Sequence, residues 1–305
     1  AINSLKEQGM EKLIFDLQGN GGGYVNAAVN VCDQFLGNEK IIVSTKGRKN
    51  SRTYKATKKG LFENGKLIIL IDQYSASASE IVSGAIQDHD RGTIVGRRSF
   101  GKGLVQQPIL LTDNSMMRLT VARYYTPSGR CIQKPYNAGT DNYEKDLIDR
   151  YNRGELSNAD SIHFPDSLKY STLTLGRTVY GGGGIMPDIF VPQDTTGVTS
   201  YFSMAIKRNL TVQFSFQYTD QNRQKLQKYD NADDLLKYLQ KQNILEKFAK
   251  FAESKGLKRR NILMYKSKEL FNRHLYGNII YNMLNMEEYV KFLNQSDPTV
   301  LKALE

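Results

Sequence analysis

Cysteine is nearly absent. Cys32 and Cys131 are the only two in 305 residues, too few for a disulfide framework, and neither has His or Cys neighbours at metal-ligand spacing. Cys32 falls in an apolar helical pattern with Ala28, Val29, Phe35 and Leu36, so it reads as core packing. No run of 18 or more apolar residues occurs, so the sequence predicts no membrane-spanning helix. Histidine is scarce too: His89, His163 and His274. His89 lies in a polar Asp-His-Asp stretch and is expected to be exposed. The first residues, Ala-Ile-Asn-Ser-Leu-Lys-Glu-Gln-Gly, are polar and amphipathic and do not read as a signal peptide. They read as the tail of a helix already under way, as in a chain cut from something longer.

What is present is ordinary for a globular protein: 40% hydrophobic and 24% charged residues. The length suffices for a real core and suggests two domains. The net charge of +11 is uneven, with 18 Lys and Arg against 11 Asp and Glu in residues 199–305. The densest cluster, Lys255, Lys258, Arg259 and Arg260, lacks the aromatic interleaving and the recognised module of a nucleic-acid binder. A solvated helix end is the better reading, and no nucleic-acid partner is expected.

Through about residue 195 strands and helices alternate. Lys12-Leu-Ile-Phe-Asp16 reads as a buried strand, followed by the turn Gln-Gly-Asn-Gly-Gly-Gly. Helical spacing runs over 24–37 and ends at Gly37. Short β-rich runs at 40–45 and 51–56 precede a strong apolar strand, Leu67-Ile-Ile-Leu-Ile71. A small-residue helix spans about 77–88, and Thr93-Ile-Val95 resumes the strands. Leu104 to Leu111 and Met116 to Tyr125 read as longer strands around a turn at Thr112-Asp-Asn114. Residues 134–176 form a polar excursion with a short helix, and Ile185 to Val191 enters a final strand. This alternation argues for an α/β core. Beyond 197 the chain turns helical: Phe271, Leu275, Ile279 and Met283 recur every fourth residue, on one helix face.

Chemistry concentrates in residues 75–107. Ser75-Ala-Ser77-Ala-Ser79-Glu80 places serines at a loop-to-helix junction. Ser77-x-x-Glu80 fits a capping box, in which hydroxyl and carboxylate each serve a free amide at the helix start. The same position exposes a serine to backbone N–H groups able to stabilise an oxyanion. The cap is the stronger reading of this motif alone. Lys102 stands 25 residues after Ser77 in a glycine-flanked turn, and Gln106 follows 4 later. Gly96-x-x-x-x-Gly101-Lys102 nearly matches a phosphate-binding loop, but Gly103 replaces the required Ser or Thr and a strand follows instead of a helix. As a general base for a serine, the lysine needs to be neutral, which burial favours.

In order along the chain, Phe-Asp-Leu-Gln-Gly-Asn-Gly-Gly-Gly (15–23), Ser-Ala-Ser-Ala-Ser-Glu (75–80), Gln87-Asp88, Val95-Gly96, Phe-Gly-Lys-Gly-Leu-Val-Gln (100–106), Tyr-Tyr-Thr-Pro-Ser-Gly (124–129) and Gly-Gly-Gly-Ile-Met-Pro-Asp (182–188) resemble the motifs of the carboxy-terminal processing peptidases, or tail-specific proteases, of serine-peptidase family S41. The resemblance covers about residues 1–192. It implies a crotonase/ClpP-like α/β core over 1–197, followed by a helical domain or extension over 198–305. It implies a serine endopeptidase with a Ser–Lys dyad that cleaves proteins near their C-termini through an acyl-enzyme, without metal or organic cofactor. Ser77 would be the nucleophile, Lys102 the base and Gln106 the group that holds the lysine. The amides of Ala78 and of the Gly22–Gly23 turn would form the oxyanion hole, while Ser75 and Ser79 would be structural. Expected partners are proteins or peptides with accessible C-termini, and the expected location is the periplasm or another exported compartment. Two departures stand out. Gln18 replaces the family's usual arginine, and the PDZ domain that normally precedes the first motif is missing from this sequence. The alternatives are a non-catalytic ligand- or peptide-binding protein on the same fold, or an inactive truncated scaffold that docks through 199–305.

Overall fold

The computed structural model describes residues 1–48, 51–136 and 139–305. The chain divides into two compact units, Ala1–Gln193 with Lys302–Glu305, and Asp194–Leu301.

The first unit opens with α1 (Ile2–Glu7), β1 (Lys12–Asp16), α2 (Val25–Cys32), β2 (Ile41–Gly47) and β3 (Ser51–Lys55). Next come β4 (Lys66–Ile71), α3 (Ala78–Asp88), β5 (Thr93–Gly96), β6 (Leu104–Leu110) and β7 (Met116–Tyr125). It continues through α4 (Thr140–Asn152), β8 (Lys169–Ser171) and β9 (Thr178–Tyr180) to β10 (Ile189–Phe190). A parallel sheet runs in the order β1-β4-β5-β10. Its central strand β4 is a continuous apolar run with Leu67, Ile69, Leu70 and Ile71 buried, as expected for a parallel strand covered on both faces. α3 supplies part of that cover. All eleven of its residues are buried, and Ser79, Ser83, Gly84 and Ala85 keep the helix thin enough to sit within the core.

An antiparallel sheet, β3-β2-β7-β6, stands beside the parallel one. Strand–helix alternation did not suggest it, because β2–β3 and β6–β7 are joined directly, with no helix between. β2 pairs only with the last part of β7, so the β6–β7 hairpin extends beyond it. The polar excursion holds a thirteen-residue helix, α4, and the small β8–β9 ladder. The final strand is two residues long, shorter than the apolar run implied, since the Asp188 side chain is already spent on the Ile94 amide and Gln87. His89 corrects the sequence reading. It is buried, and its Nε2 lies 2.7 Å from the Ile41 carbonyl oxygen. Cys32 is fully buried, and burial pushes its thiol pKa up.

The C-terminal end of α3 is fixed by a buried polar cluster. The Arg130 guanidinium meets Asp88 at 2.7 Å, Gln87 Oε1 at 2.8 Å and the Tyr180 carbonyl at 2.9 Å. Gln87 Nε2 in turn donates to the Met186 carbonyl and to Asp188. Three sequence motifs far apart in the chain thus form one network.

The second unit is helical: α5 (Ser200–Lys207), α6 (Leu210–Leu226), α7 (Ala232–Gln240), α8 (Ile244–Ser254), α9 (Asn261–Lys266), α10 (Lys268–Met283), α11 (Met286–Asn294) and the start of α12 (Pro298–Leu304), whose residues from Lys302 count with the first unit. Its core gathers around Phe271, whose ring packs on Tyr201, Phe202 and Phe248. Phe271, Leu275 and Ile279 on α10 are fully buried, as their spacing requires. Lys255 caps the end of α8, and Arg259 pairs with Glu246 at 2.8 Å, so the basic cluster is a helix end.

Asp88→Asn removes the counter-charge of a fully buried guanidinium. It is expected to cost about 3–5 kcal/mol, read as a lower urea midpoint. A loss below about 1 kcal/mol would show that the cluster does not hold α3.

Candidate active site

β4 ends at Ile71, and the chain crosses to α3 through Asp72–Ser77. Asp72 Oδ1 accepts the amides of Gly19, Tyr74 and Ser75. Ser75 Oγ donates to the Leu17 carbonyl at 2.7 Å and accepts the Asp72 amide at 2.9 Å. Ser79 Oγ donates to the Asn20 carbonyl at 2.9 Å. These two hydroxyls are therefore occupied in tying the glycine turn to the helix, and both side chains are buried. Ser77, between them, is half-buried.

Ser77 adopts φ 55°, ψ −113°, a backbone conformation rare for a residue with a Cβ. Its amide donates to Glu80 Oε2 at 2.8 Å, which forms one half of the capping box. The amides that a capping hydroxyl could serve already reach backbone carbonyls, Ser79 to Ala76 at 3.1 Å and Glu80 to Ser77 at 2.9 Å. The hydroxyl is not their only acceptor. The Ser77 carbonyl also accepts the Tyr124 hydroxyl at 3.1 Å.

Glu80 is the group that sequence reasoning missed. Its carboxylate is fully buried and accepts four hydrogen bonds. Oε2 takes the amides of Ser77 and Lys102 at 2.8 and 2.9 Å, and Oε1 takes Ser99 Oγ at 2.5 Å and the Gly101 amide at 2.6 Å. Burial pushes its pKa up, and the four donors offset part of that rise. One carboxylate thereby fixes the Lys102 turn against the start of α3. The Ser-x-x-Glu spacing revealed the cap, but the bonds to Gly101 and Lys102 cross more than twenty residues and leave no local pattern.

The lysine turn is further held by the Phe100 amide on the Ser75 carbonyl at 2.9 Å. Arg150, buried on α4, donates to the carbonyls of Ser99 and Phe100 at 2.7 and 3.1 Å. Gly101 has φ +89°, and a Cβ on Gly103 would stand 2.9 Å from the Gln133 amide nitrogen, so both flanking glycines are required. Lys102 is half-buried. It lines a cavity of about 980 Å³ together with Tyr74, Ala76, Phe100 and Gln106. Gln106 lies on exposed β6, where the register with β7 shifts between Val105 and Gln106. Among the described residues no hydrogen bond links Lys102 Nζ to Ser77 Oγ or to Gln106.

A smaller cavity of about 180 Å³ is lined by Gly22, Gly23, Ala78 and Val82. Gly22 has φ +91°, and a Cβ there would sit 2.4 Å from the Ala76 oxygen and 2.9 Å from Ser77 Cβ. Its amide donates to Asn20 Oδ1 at 2.9 Å. The amides of Gly23 and Ala78 reach no acceptor among the described residues. Gly22 thus supplies close approach, while Gly23 and Ala78 supply open donors. Gln18, in place of an arginine, bonds locally to Asp16, at 2.8 Å through its amide.

A serine at a helix start, open amides in the same loop region and a lysine turn held to that helix by one carboxylate are elements that acyl transfer can use. Residues 1–141 match the family model described as Peptidase family S41. Relatives of this segment include carboxy-terminal processing proteases. The carboxy-terminal-processing protease of Bartonella bacilliformis is 51% identical over 122 residues, 39% of this chain and 28% of that protein. The chloroplastic C-terminal processing peptidase of Tetradesmus obliquus is 37% identical over 134 residues, 44% of this chain and 29% of that protein. A solved photosystem II D1 C-terminal processing protease aligns at 27% identity and TM-score 0.44, over 64% of this chain and 38% of that one. The chain therefore spans under a third of the length of these two curated relatives. Residues 201–285 match a family of unknown function, DUF8443.

Glu80→Gln turns an acceptor oxygen into an NH₂ group facing buried donors, whichever way the amide is oriented. The expected loss is about 1–3 kcal/mol of stability, with any Ser77-dependent turnover falling alongside. Thermal unfolding and activity unchanged from the parent would refute the clamp. Gly22→Ala is expected to destabilise as well, through backbone clash, and a normal melting temperature would count against the close approach.

Proposed function

We propose that residues 1–197 are the core of a serine endopeptidase of the carboxy-terminal processing type, and that residues 198–305 are an appended helical domain. Ser77 is the nucleophile and Lys102 the general base. Neutral Lys102 takes the Ser77 hydroxyl proton as Oγ attacks the scissile carbonyl. The amides of Ala78 and Gly23 receive the tetrahedral oxyanion, with Gly22 giving the room for that approach. Protonated Lys102 then delivers its proton to the leaving amine, and the same lysine activates the water that hydrolyses the Ser77 ester. Gln106, on the lysine's cavity wall, orients the amine. Every step uses side chains and amides of this chain alone. Substrates are proteins and peptides entered near a C-terminus, in an exported compartment such as the periplasm.

The observation that carries this reading is the Glu80 carboxylate, which binds the amides of Ser77 and Lys102 at once. A helix cap needs only the first of these. The second has a purpose if the serine and the lysine must keep a fixed separation.

The test pairs two variants on an unfolded protein substrate, with new peptides followed by mass spectrometry. Ser77→Ala is expected to abolish cleavage while shifting stability by no more than about 1 kcal/mol, since backbone carbonyls already serve the cap amides. Lys102→Arg keeps the positive charge but stays protonated, so it is expected to be equally silent. Turnover persisting in either variant would remove that residue from the mechanism. Absence of cleavage by the parent chain would favour a binding role on the same fold.

A further inference from the structure

The cavity that holds Lys102 is strongly one-sided in charge. Lys46, Arg48, Lys102 and Arg123 line it, against a single carboxylate, Glu144. Lys46 on β2 and Arg123 on β7 are direct cross-strand partners in the antiparallel register, so their side chains share one face. Like charges in that relation are destabilising. Lys46 Nζ lies 4.8 Å from the Tyr125 ring centroid, which eases its position without neutralising it.

Solvated surface cations need no partner and carry no selectivity by themselves. Five cations of this unit, three of them buried, are handled differently. Arg98, Arg130, Arg150, Arg177 and Lys134 each meet a carboxylate at 2.7–3.2 Å. Lys46, Arg48 and Arg123 have no carboxylate partner among the described residues, although they stand together on the wall of this cavity. That wall also carries exposed apolar surface, with Tyr74 55% and Tyr136 50% accessible. At about 980 Å³, the cavity is at the upper end of the range for small-ligand sites, about 300–1,000 Å³, and can take several residues of an extended chain.

We propose that this cavity selects peptides bearing carboxylates, with Lys46, Arg48 and Arg123 as the selecting groups, a substrate preference that rests on the peptidase reading above. The aromatic wall takes the apolar parts of the peptide, and the cross-strand cation pair takes its negative charge. The carboxylate comes either from Asp or Glu side chains or from the peptide's own C-terminus.

The test uses binding, so that it does not depend on turnover. The full chain carrying Ser77→Ala is titrated into a dye-labelled Ala/Leu peptide with two glutamates and a free C-terminus. Two matched peptides follow, one with the glutamates changed to glutamine and one with an amidated C-terminus. The parent peptide is expected to bind about three- to tenfold tighter than at least one matched form, with the margin shrinking in about 0.5 M salt as screening shortens. Loss on the glutamine change assigns side chains, and loss on amidation assigns the C-terminus. Lys46→Gln and Arg123→Gln, both at exposed positions and checked by unchanged melting, are expected to remove most of the margin. Equal binding of all three peptides, or a margin that survives both variants, overturns the proposal. Cleavage without charge preference would leave the peptidase reading standing and sink this one. Charge-selective binding by a parent chain that never cleaves would do the reverse.

Discussion

A single buried carboxylate organises the chemistry-bearing part of this protein. Glu80 sits one turn into α3 and accepts donors from the helix start, from Ser99 and from the Gly101–Lys102 turn. Burying an ion costs several kcal/mol, while hydrogen bonds to a charged group contribute about 1.5–3 kcal/mol each. Four such bonds offset that cost, and their directions fix the geometry. The carboxylate fixes where two segments lie that the chain alone would leave free. The Ser77 backbone, rare for a residue with a Cβ, would by itself cost about 1–3 kcal/mol. It persists because its amide is held by Glu80 and its carbonyl by Tyr124 and two helix amides.

The rest of the first unit keeps that arrangement in place. The glycine turn after β1 reaches within van der Waals contact of Ser77 because Gly22 has no side chain, and Asn20, Ser75 and Ser79 tie it down. At the far end of α3, the Arg130–Asp88–Gln87 network holds the helix against the segments before β9 and β10. The helix is thus pinned by polar groups at both ends and by apolar packing between. Arg150 fixes the back of the lysine turn through two carbonyls. Side chains from five separate stretches converge on a few residues.

Much of this was legible in the sequence where the signal is local. The apolar run of β4, the small-residue helix α3 and the strands β6 and β7 follow from periodicity and composition. The fourfold recurrence from Phe271 marks α10. The motif order pointed to S41 because Gly22, Ser77 and Lys102 each sit in a distinctive local context. What the sequence did not reveal depends on distance along the chain. Glu80 read as a cap because its other donors lie beyond any local window. His89 read as exposed because two aspartates flank it, yet Asp88 and Asp90 are themselves consumed by Arg130 and Arg177. The antiparallel sheet was invisible because strand–helix alternation says nothing about which strands pair. Likewise, the Gly22 amide was grouped with that of Gly23, and only the structure shows it spent on Asn20.

The central claim is that Ser77, alone among the three serines of its loop, attacks a peptide carbonyl. The most direct measurement is acid quenching of the chain during its first turnovers on an unfolded protein, followed by peptide mapping of any acyl-ester. An ester on Ser77 Oγ, absent from Ser77→Ala, is the predicted result. An ester on Ser75 or Ser79, or cleavage that proceeds without Ser77, would contradict it.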